Sequence, residues 1–296
     1  MKDKLKIIGA MLIFGSIGIF VRNINLPSIE IAFLRAVIGS LFLLCAGFMM
    51  KQKISFKEIK ENILLLILSG VAIGFNWILL FQAYKYTTIS NSTLSYYFAP
   101  VFVIMLAPMV LKEKITITKI LCIITAMSGL FLIVSVGSTN ISGSYNHVVG
   151  IMYGLSAAIL YASIILMNKF IKNLSGFETT LIQLSIAALV LLPSIIYRGN
   201  LNLNKISSTV WIFILIVGVL HTGIAYLMYF SSIKELKGQS IAILSYIDPI
   251  SAVIIASIFL GEAITLVKII GGILILGSTF LSEILEAKFT HAPIEL

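Results

Sequence analysis

A chain of 296 residues with 59% hydrophobic and only 11% charged residues cannot cover itself with a wettable surface, which takes about 25% charge in a soluble domain. Its mean hydropathy of +1.08 marks it as built for lipid. The net charge of +9 does not make it a nucleic-acid binder, because the lysines are scattered between apolar runs and not gathered on one face. Cys45 and Cys122 lie inside apolar runs and define no disulfide framework.

A hydrocarbon core of about 30 Å needs about 20 residues of helix. Apolar runs between charge clusters predict ten such spans. The first, 5–22, follows a basic start (Met1 to Lys6) with no small-residue cleavage site, so it reads as an uncleaved helix and not a signal peptide. The second, 28–50, carries Arg35, and the third, 62–84, carries Asn76, Trp77 and Tyr84. The fourth, 90–111, begins with polar Ser90, Asn91, Ser92, Thr93 and Ser95 and has Pro100 near its middle; the fifth is 117–137. An uncharged Gly/Ser/Asn-rich linker, 138–146, leads to the sixth span, 147–169, and the seventh, 175–197. His221 lies mid-way along the eighth, 208–231, and Asp248-Pro249 near the centre of the ninth, 238–260. The tenth, 266–285, is Gly-rich, and 287–296 forms a tail. With the N-terminus inside, fifteen lysines fall in cytoplasmic segments against five Lys/Arg outside, so both termini are expected in the cytoplasm.

The chain repeats itself. One offset of 149 residues pairs Gly74 with Gly223, Phe81 with Phe230, Lys85 with Lys234, Tyr97 with Tyr246 and Pro100 with Pro249. It also pairs Glu113 with Glu262, Thr116 with Thr265 and Lys119 with Lys268. Slightly smaller offsets pair Phe14-Gly15-Ser16 with Tyr161-Ala162-Ser163, Glu30 with Glu178 and Arg35 with Gln183. Residues 1–137 and 147–286 are therefore two five-span units. Five is odd, so the second unit enters the membrane upside down. The fold class this predicts is an all-α integral membrane protein, ten transmembrane helices in two inverted five-helix repeats. Such a repeat provides two nearly equivalent conformations, one open to each side, which is the basis of alternating access.

These residues resemble the EamA family of the drug/metabolite transporter superfamily. The likeness lies in the aromatic-Gly start Phe14-Gly15, Arg35 in the second span, and Pro100 and Pro249 in spans four and nine. It continues in Glu113 with Thr116, Glu262 with Thr265, and the glycines Gly271, Gly272 and Gly277. The first unit departs at Cys122 and Ser128, where the second has Gly271 and Gly277. The resemblance implies a ten-helix carrier with a central cavity lined by spans 1, 3, 4, 6, 8 and 9. It also implies substrates that are small metabolites, often amino acids moved outward.

Candidate site residues follow from polarity inside the bilayer. A carboxylate at the depth of Asp248 costs about 2.5–3.5 kcal/mol, so it must face a polar space or stay protonated. At helical spacing Ser245, Asp248 and Ser251 share a face, and Pro249 frees a carbonyl near Ser245. Asp248 is expected to bind a substrate ammonium or exchange a proton; the competing reading is a packing acid bonded to hydroxyls. His221 suits proton coupling, against the reading of a neutral core histidine. Trp77, Tyr96, Tyr97 and Tyr246 are candidates for an aromatic wall beside Asn76, while Tyr84, Tyr86 and Tyr197 fit the interfacial belt. Arg35 reads as a structural anchor that snorkels or pairs, and Glu113 and Glu262 as caps of the helices that follow them.

The expected function is secondary transport of a small metabolite, an amino acid or related compound for export, with protons as a candidate driver. A passive channel is the alternative. No Gly-x4-Gly-Lys-Ser/Thr motif supports an ATP-driven pump, and no nucleophile–base set supports an intramembrane enzyme. No cofactor, metal site or nucleic-acid partner is expected. The partners are the bilayer, the solute and, through the Gly-rich last span, a second copy.

Overall fold

The computed structural model describes residues 2–112, 116–139, 146–198, 206–233 and 244–290. Backbone polar groups find no water in a bilayer, so a spanning segment must satisfy them within itself, and every regular element among the described residues is helical. In chain order these are α1 (Lys2–Arg22), α2 (Ser28–Met49), the short α3 (Phe56–Glu61), α4 (Ile63–Tyr86), α5 (Ile89–Tyr96), α6 (Ala99–Val110) and α7 (Ile117–Thr139). The second half contains α8 (His147–Asn168), α9 (Gly176–Arg198), α10 (Ser208–Leu215), a π-helical segment (Ile216–Ile224), α11 (Ala225–Ile233), α12 (Ile247–Leu260) and α13 (Leu266–Thr290). Seven helical stretches are long and apolar enough to cross a membrane, and shorter apolar helices at 117–133, 247–260 and 266–278 coincide with the remaining expected spans. Glu113, Lys114, Lys234, His291, most of the linker (140–145) and the start of the ninth span (238–243) lie outside the described residues.

Three spans are not the continuous α-helices the hydropathy pattern predicts. The fourth is two helices joined by a turn at Tyr97–Phe98, and the ninth turns at Tyr246. Both breaks come just before a proline, Pro100 or Pro249, which lacks the N–H that would carry the helix through. The eighth passes through a π segment. There the Thr222 hydroxyl donates to Val217 O at 3.1 Å and His221 Nδ1 sits 3.2 Å from Ile216 O, so both side chains reach carbonyls five residues back. Wider turns of this kind cluster at functional sites.

The two repeats exchange partners. The third span (α4) packs on the sixth (α8), as the eighth (α10–α11) packs on the first (α1). Span four (α5 and α6) packs on α8, as α12 packs on α1; α4 packs on α9, as the π segment packs on α2. The like pairs α2–α9 and α7–α13 close the set. This reciprocity is what a two-fold relation between the repeats requires, and Phe81, Leu43, Leu184 and Ile214 are buried in one core that joins both halves.

Glycine sets how closely the helices approach, as the Gly70-xxx-Gly74 and Gly150-xxx-Gly154 spacings predict. A Cβ on Gly70 would lie 2.7 Å from Ile186 Cβ and 2.9 Å from Gln183 O on α9. On α13, a Cβ at Gly271 would lie 2.8 Å from Gly129 O, so α7 compensates for Cys122 and Ser128 with the neighbouring Gly129. Thr116 and Thr265 cap α7 and α13, each accepting a backbone N–H at 3.3 Å, as their position predicts. Gly70→Leu is expected to destabilise the protein by about 1–3 kcal/mol through overpacking. Gly277→Leu, facing open space with nothing within 4 Å, should leave stability unchanged. Thermal unfolding of the two purified variants in detergent checks the contrast.

Candidate functional site

The two helix breaks meet. Tyr97 stands at the turn of the fourth span and donates its hydroxyl to Asp248 Oδ2 at the turn of the ninth. Gly15 brings α1 onto this place: a Cβ there would sit 2.6 Å from Asp248 O, and Ser251 Oγ donates to the same carbonyl at 2.9 Å. Tyr97 is the phenol that touches the carboxylate, and those of Tyr84, Tyr161 and Tyr226, from spans three, six and eight, lie within electrostatic reach of it. Tyr96 stacks on Tyr161 at 5.3 Å and meets Tyr97 edge-on at 6.0 Å, while Phe14 of α1 packs on Tyr226 at 5.4 Å. Asp248, Tyr96, Tyr97 and Tyr226 are half-buried and Tyr161 is exposed; contacts run from Asp248 through Tyr97 and Tyr96 to Tyr161, across spans nine, four and six.

One side of this group is a buried cation. Arg35, 5% exposed, neither snorkels nor pairs with an acid among the described residues. Its Nε donates to Thr222 Oγ1 at 2.8 Å, and its guanidinium lies over the Trp77 ring at 3.9 Å. The ionisable groups beside it are the phenols of Tyr84, Tyr96 and Tyr226. Tyr84 and Tyr226 thus neighbour both Arg35 and Asp248. Tyr84 is buried at 5%, stacked on Phe81 at 6.4 Å, and is not the belt residue its place near a span end predicts. Tyr86 and Tyr197, 37% and 94% exposed, do face outward.

The other sequence candidates fall into distinct places. Trp77 is the floor under Arg35. Asn76 donates to Ala157 O at 2.7 Å and accepts from Tyr96 OH at 3.5 Å, tying α4 to α8 behind the tyrosines. His221 is fully buried, with Nε2 3.0 Å from Ser16 Oγ and Nδ1 on Ile216 O. A carbonyl only accepts, so Nδ1 donates to Ile216 O, while the Ser16 hydroxyl beside Nε2 also donates to Ile13 O at 2.8 Å and ties the ring to the α1 backbone. Ser245 and Tyr246 are half-buried at the break of the ninth span, and Tyr246 packs edge-on against Phe280 of α13 at 5.5 Å.

A second polar cluster locks the halves together at one end of the bundle. Glu262, after α12, does not cap the helix that follows it; it caps α5, in the other repeat. Oε1 accepts from Ile89 N at 2.7 Å, and Oε2 accepts from Ser90 N at 3.1 Å and Ser90 Oγ at 2.7 Å. Arg22, at the end of α1, completes the site with an ion pair of 2.9 Å. A carboxylate at a helix N-terminus also meets the positive end of the helix dipole. Glu178, the twin of Glu30, accepts from Ser175 N at 2.9 Å in a capping box and from Ser55 N at 2.9 Å, binding α9 to the segment before α3. An open recess of about 500 Å3 lies away from all of this on the outer face of α7, lined by Ile124, Met127, Ser128, Phe131 and Leu132, and brings no charge to a solute.

Ten apolar spans in two partner-exchanging repeats, with buried charges and aromatic groups where the repeats meet, define a multi-pass membrane transporter. The chain belongs to the EamA-like transporter family, whose profile matches residues 4–135 and 148–284. It is 32% identical over 272 residues to the uncharacterized transporter YxxF of Bacillus subtilis, covering 92% of this chain and 86% of that one. An uncharacterized transporter of Archaeoglobus fulgidus is 25% identical, over 93% and 94% of the two chains. A protein of known crystal structure shares the fold with a TM-score of 0.65 at 16% identity, over 96% of this chain and 98% of its own.

Removing the Glu262 carboxylate takes an ion pair from Arg22 and three hydrogen bonds from the start of α5 at a largely buried site. Glu262→Ala is expected to cost roughly 3 kcal/mol, and Glu262→Gln less, since an amide oxygen still accepts. Chemical denaturation in detergent micelles, followed by the tryptophan emission, reads the order of the two variants.

Proposed function

We propose that this protein is a secondary carrier that moves a small metabolite, an amino acid or related compound, out of the cell by alternating access. Its setting is the plasma membrane, with both termini in the cytoplasm, as the fifteen-to-five lysine and arginine count favours. The observation that carries the reading is the Tyr97–Asp248 hydrogen bond, because it joins the broken middles of two spans from opposite repeats. Broken helices at a repeat interface are the usual place for substrate and coupling-ion sites in such folds. Rocking one repeat against the other exposes the Asp248 region to each side in turn, and the Arg22–Glu262 pair must part for its end to open. Asp248 is the acid that takes a substrate ammonium or a proton.

His221 sits one layer further in. Its two bonds hold α1 against the π segment, so its role is to position Ser16 and the first span. A second copy of the chain has limited room on the last span. Gly271 is taken by Gly129, which leaves the Gly277 side as the dimer face.

A passive channel would conduct without saturation or counterflow, whereas a carrier shows both. An enzyme would need a nucleophile beside a base, and the groups around Asp248 are phenols and hydroxyls. Asp248→Asn keeps the shape of the side chain and removes its charge. In proteoliposomes the variant is expected to lose about tenfold or more of its uptake and efflux and to lose their pH dependence. Uptake, efflux and pH profile all equal to those of the unaltered protein would contradict the role of Asp248.

A further inference from the structure

Arg35 and Asp248 stand in the interior with no ion-pair partner among the described residues. The Arg35 Nε and its ring face are occupied by Thr222 and Trp77. Among the described residues nothing accepts from its terminal nitrogens, Nη1 and Nη2. That free edge is the two-pronged fork that matches a carboxylate in plane. Asp248 has one oxygen bonded to Tyr97 and the other, Oδ1, without a described donor. A chain of contacts links the two: Asp248 to Tyr97, Tyr97 to the Tyr96 ring at 6.0 Å, and the Tyr96 hydroxyl to Asn76 at 3.5 Å, the neighbour of the Trp77 on which the guanidinium lies.

We propose that Arg35 is the carboxylate-binding residue of the transport site, and that the solute is a zwitterion held by its carboxylate at Arg35 and its ammonium at Asp248. The proposal rests on the carrier reading above and adds to it the charge pattern of the substrate. A guanidinium with no anion beside it is costly to bury, and a bound carboxylate relieves that cost. The repeat makes the point sharper. Gln183, the counterpart of Arg35, is saturated within the protein: its Nε2 donates to Ser69 Oγ and to Asn168 Oδ1, both at 2.7 Å. Ala99, the counterpart of Asp248, brings no charge at all. The two-fold scaffold thus has one anion site and one cation site, not two of each, which fixes a single orientation for a single solute. Thr222 and Trp77 act as positioning residues, because they hold the guanidinium plane and touch the solute only through it. The second span, outside the cavity lining that family resemblance implies, supplies the discriminating group.

The test is counterflow in proteoliposomes with each of the common labelled L-amino acids in turn, followed by competition with two unlabelled analogues of the best one. The first analogue is the decarboxylated amine, and the second is the deaminated acid. For the unaltered protein both analogues should compete at least about tenfold more weakly than the amino acid, the loss of one charged contact. In Arg35→Gln the amine should compete as well as the amino acid, while Arg35→Lys restores part of the preference. In Asp248→Asn the deaminated acid should gain instead. Monodispersity and melting temperature of each variant confirm its folding, and if Arg35→Gln fails to fold, the Arg35→Lys preference decides. Counterflow of amino acids with the same analogue ranking in all variants would overturn the zwitterion site and leave the carrier standing. Counterflow of amines alone would do the same. No counterflow of amino acids or of amines would overturn the carrier reading together with this one.

Discussion

A cation and an acid stand in the interior of this bundle without pairing with each other, and that constraint organises the structure around them. In a medium of low dielectric constant each isolated charge is held only if other groups substitute for water. Around Arg35 the substitutes are the Trp77 ring and the Thr222 hydroxyl; at Asp248 it is the Tyr97 hydroxyl, with the phenols of Tyr84, Tyr161 and Tyr226 within electrostatic reach. These groups come from spans two, three, four, six, eight and nine. The polar centre therefore exists only when both repeats are assembled, and the close helix approaches at Gly15, Gly39 and Gly70 are what let it assemble.

The duplicated scaffold and the unduplicated centre divide the labour. Matching residues do structural work: Pro100 and Pro249 break their spans at the same level, and Thr116 and Thr265 cap the helices that follow. Mismatched residues furnish the polar centre: Arg35 against Gln183, His221 against Ala72, Asp248 against Ala99. A symmetric frame gives two conformations of similar energy, which a carrier needs to cycle. An asymmetric centre gives one way for a solute to lie in it. Glu262 links the two functions, because its carboxylate caps a helix of one repeat from the end of the other.

Much of this was legible in the sequence, for physical reasons. Lipid forces long apolar runs and internal hydrogen bonding, so ten spans and an all-helical fold follow from hydropathy. Pro100 and Pro249 mark where two of them break. The inward face of the fourth span was readable from Ser90, Asn91, Ser92 and Ser95, all buried at 2% or less. Other features depend on contacts between distant residues. Arg35 lies about two turns inside its span, and nothing local distinguishes a snorkelling arginine from one held by Thr222, 187 residues away. Tyr84 near a helix end has the composition of a belt residue, and it is buried because other spans pack around α4. The π segment has no signature beyond its polar His221 and Thr222 and the tightly packed Gly218 and Gly223, and Glu262 has no local sign of the helix it caps.

Alternation between two states is the central claim, and its most direct test is a distance measured across the Arg22–Glu262 end of the bundle. Spin labels at Asn23 and Ala263, both exposed, would flank the ion pair in a variant with Cys45 and Cys122 replaced. Pulsed electron resonance in lipid nanodiscs should give two distances, with the longer one gaining population in Glu262→Gln. A single narrow distance, unchanged by that substitution and by transported solute, would contradict the account.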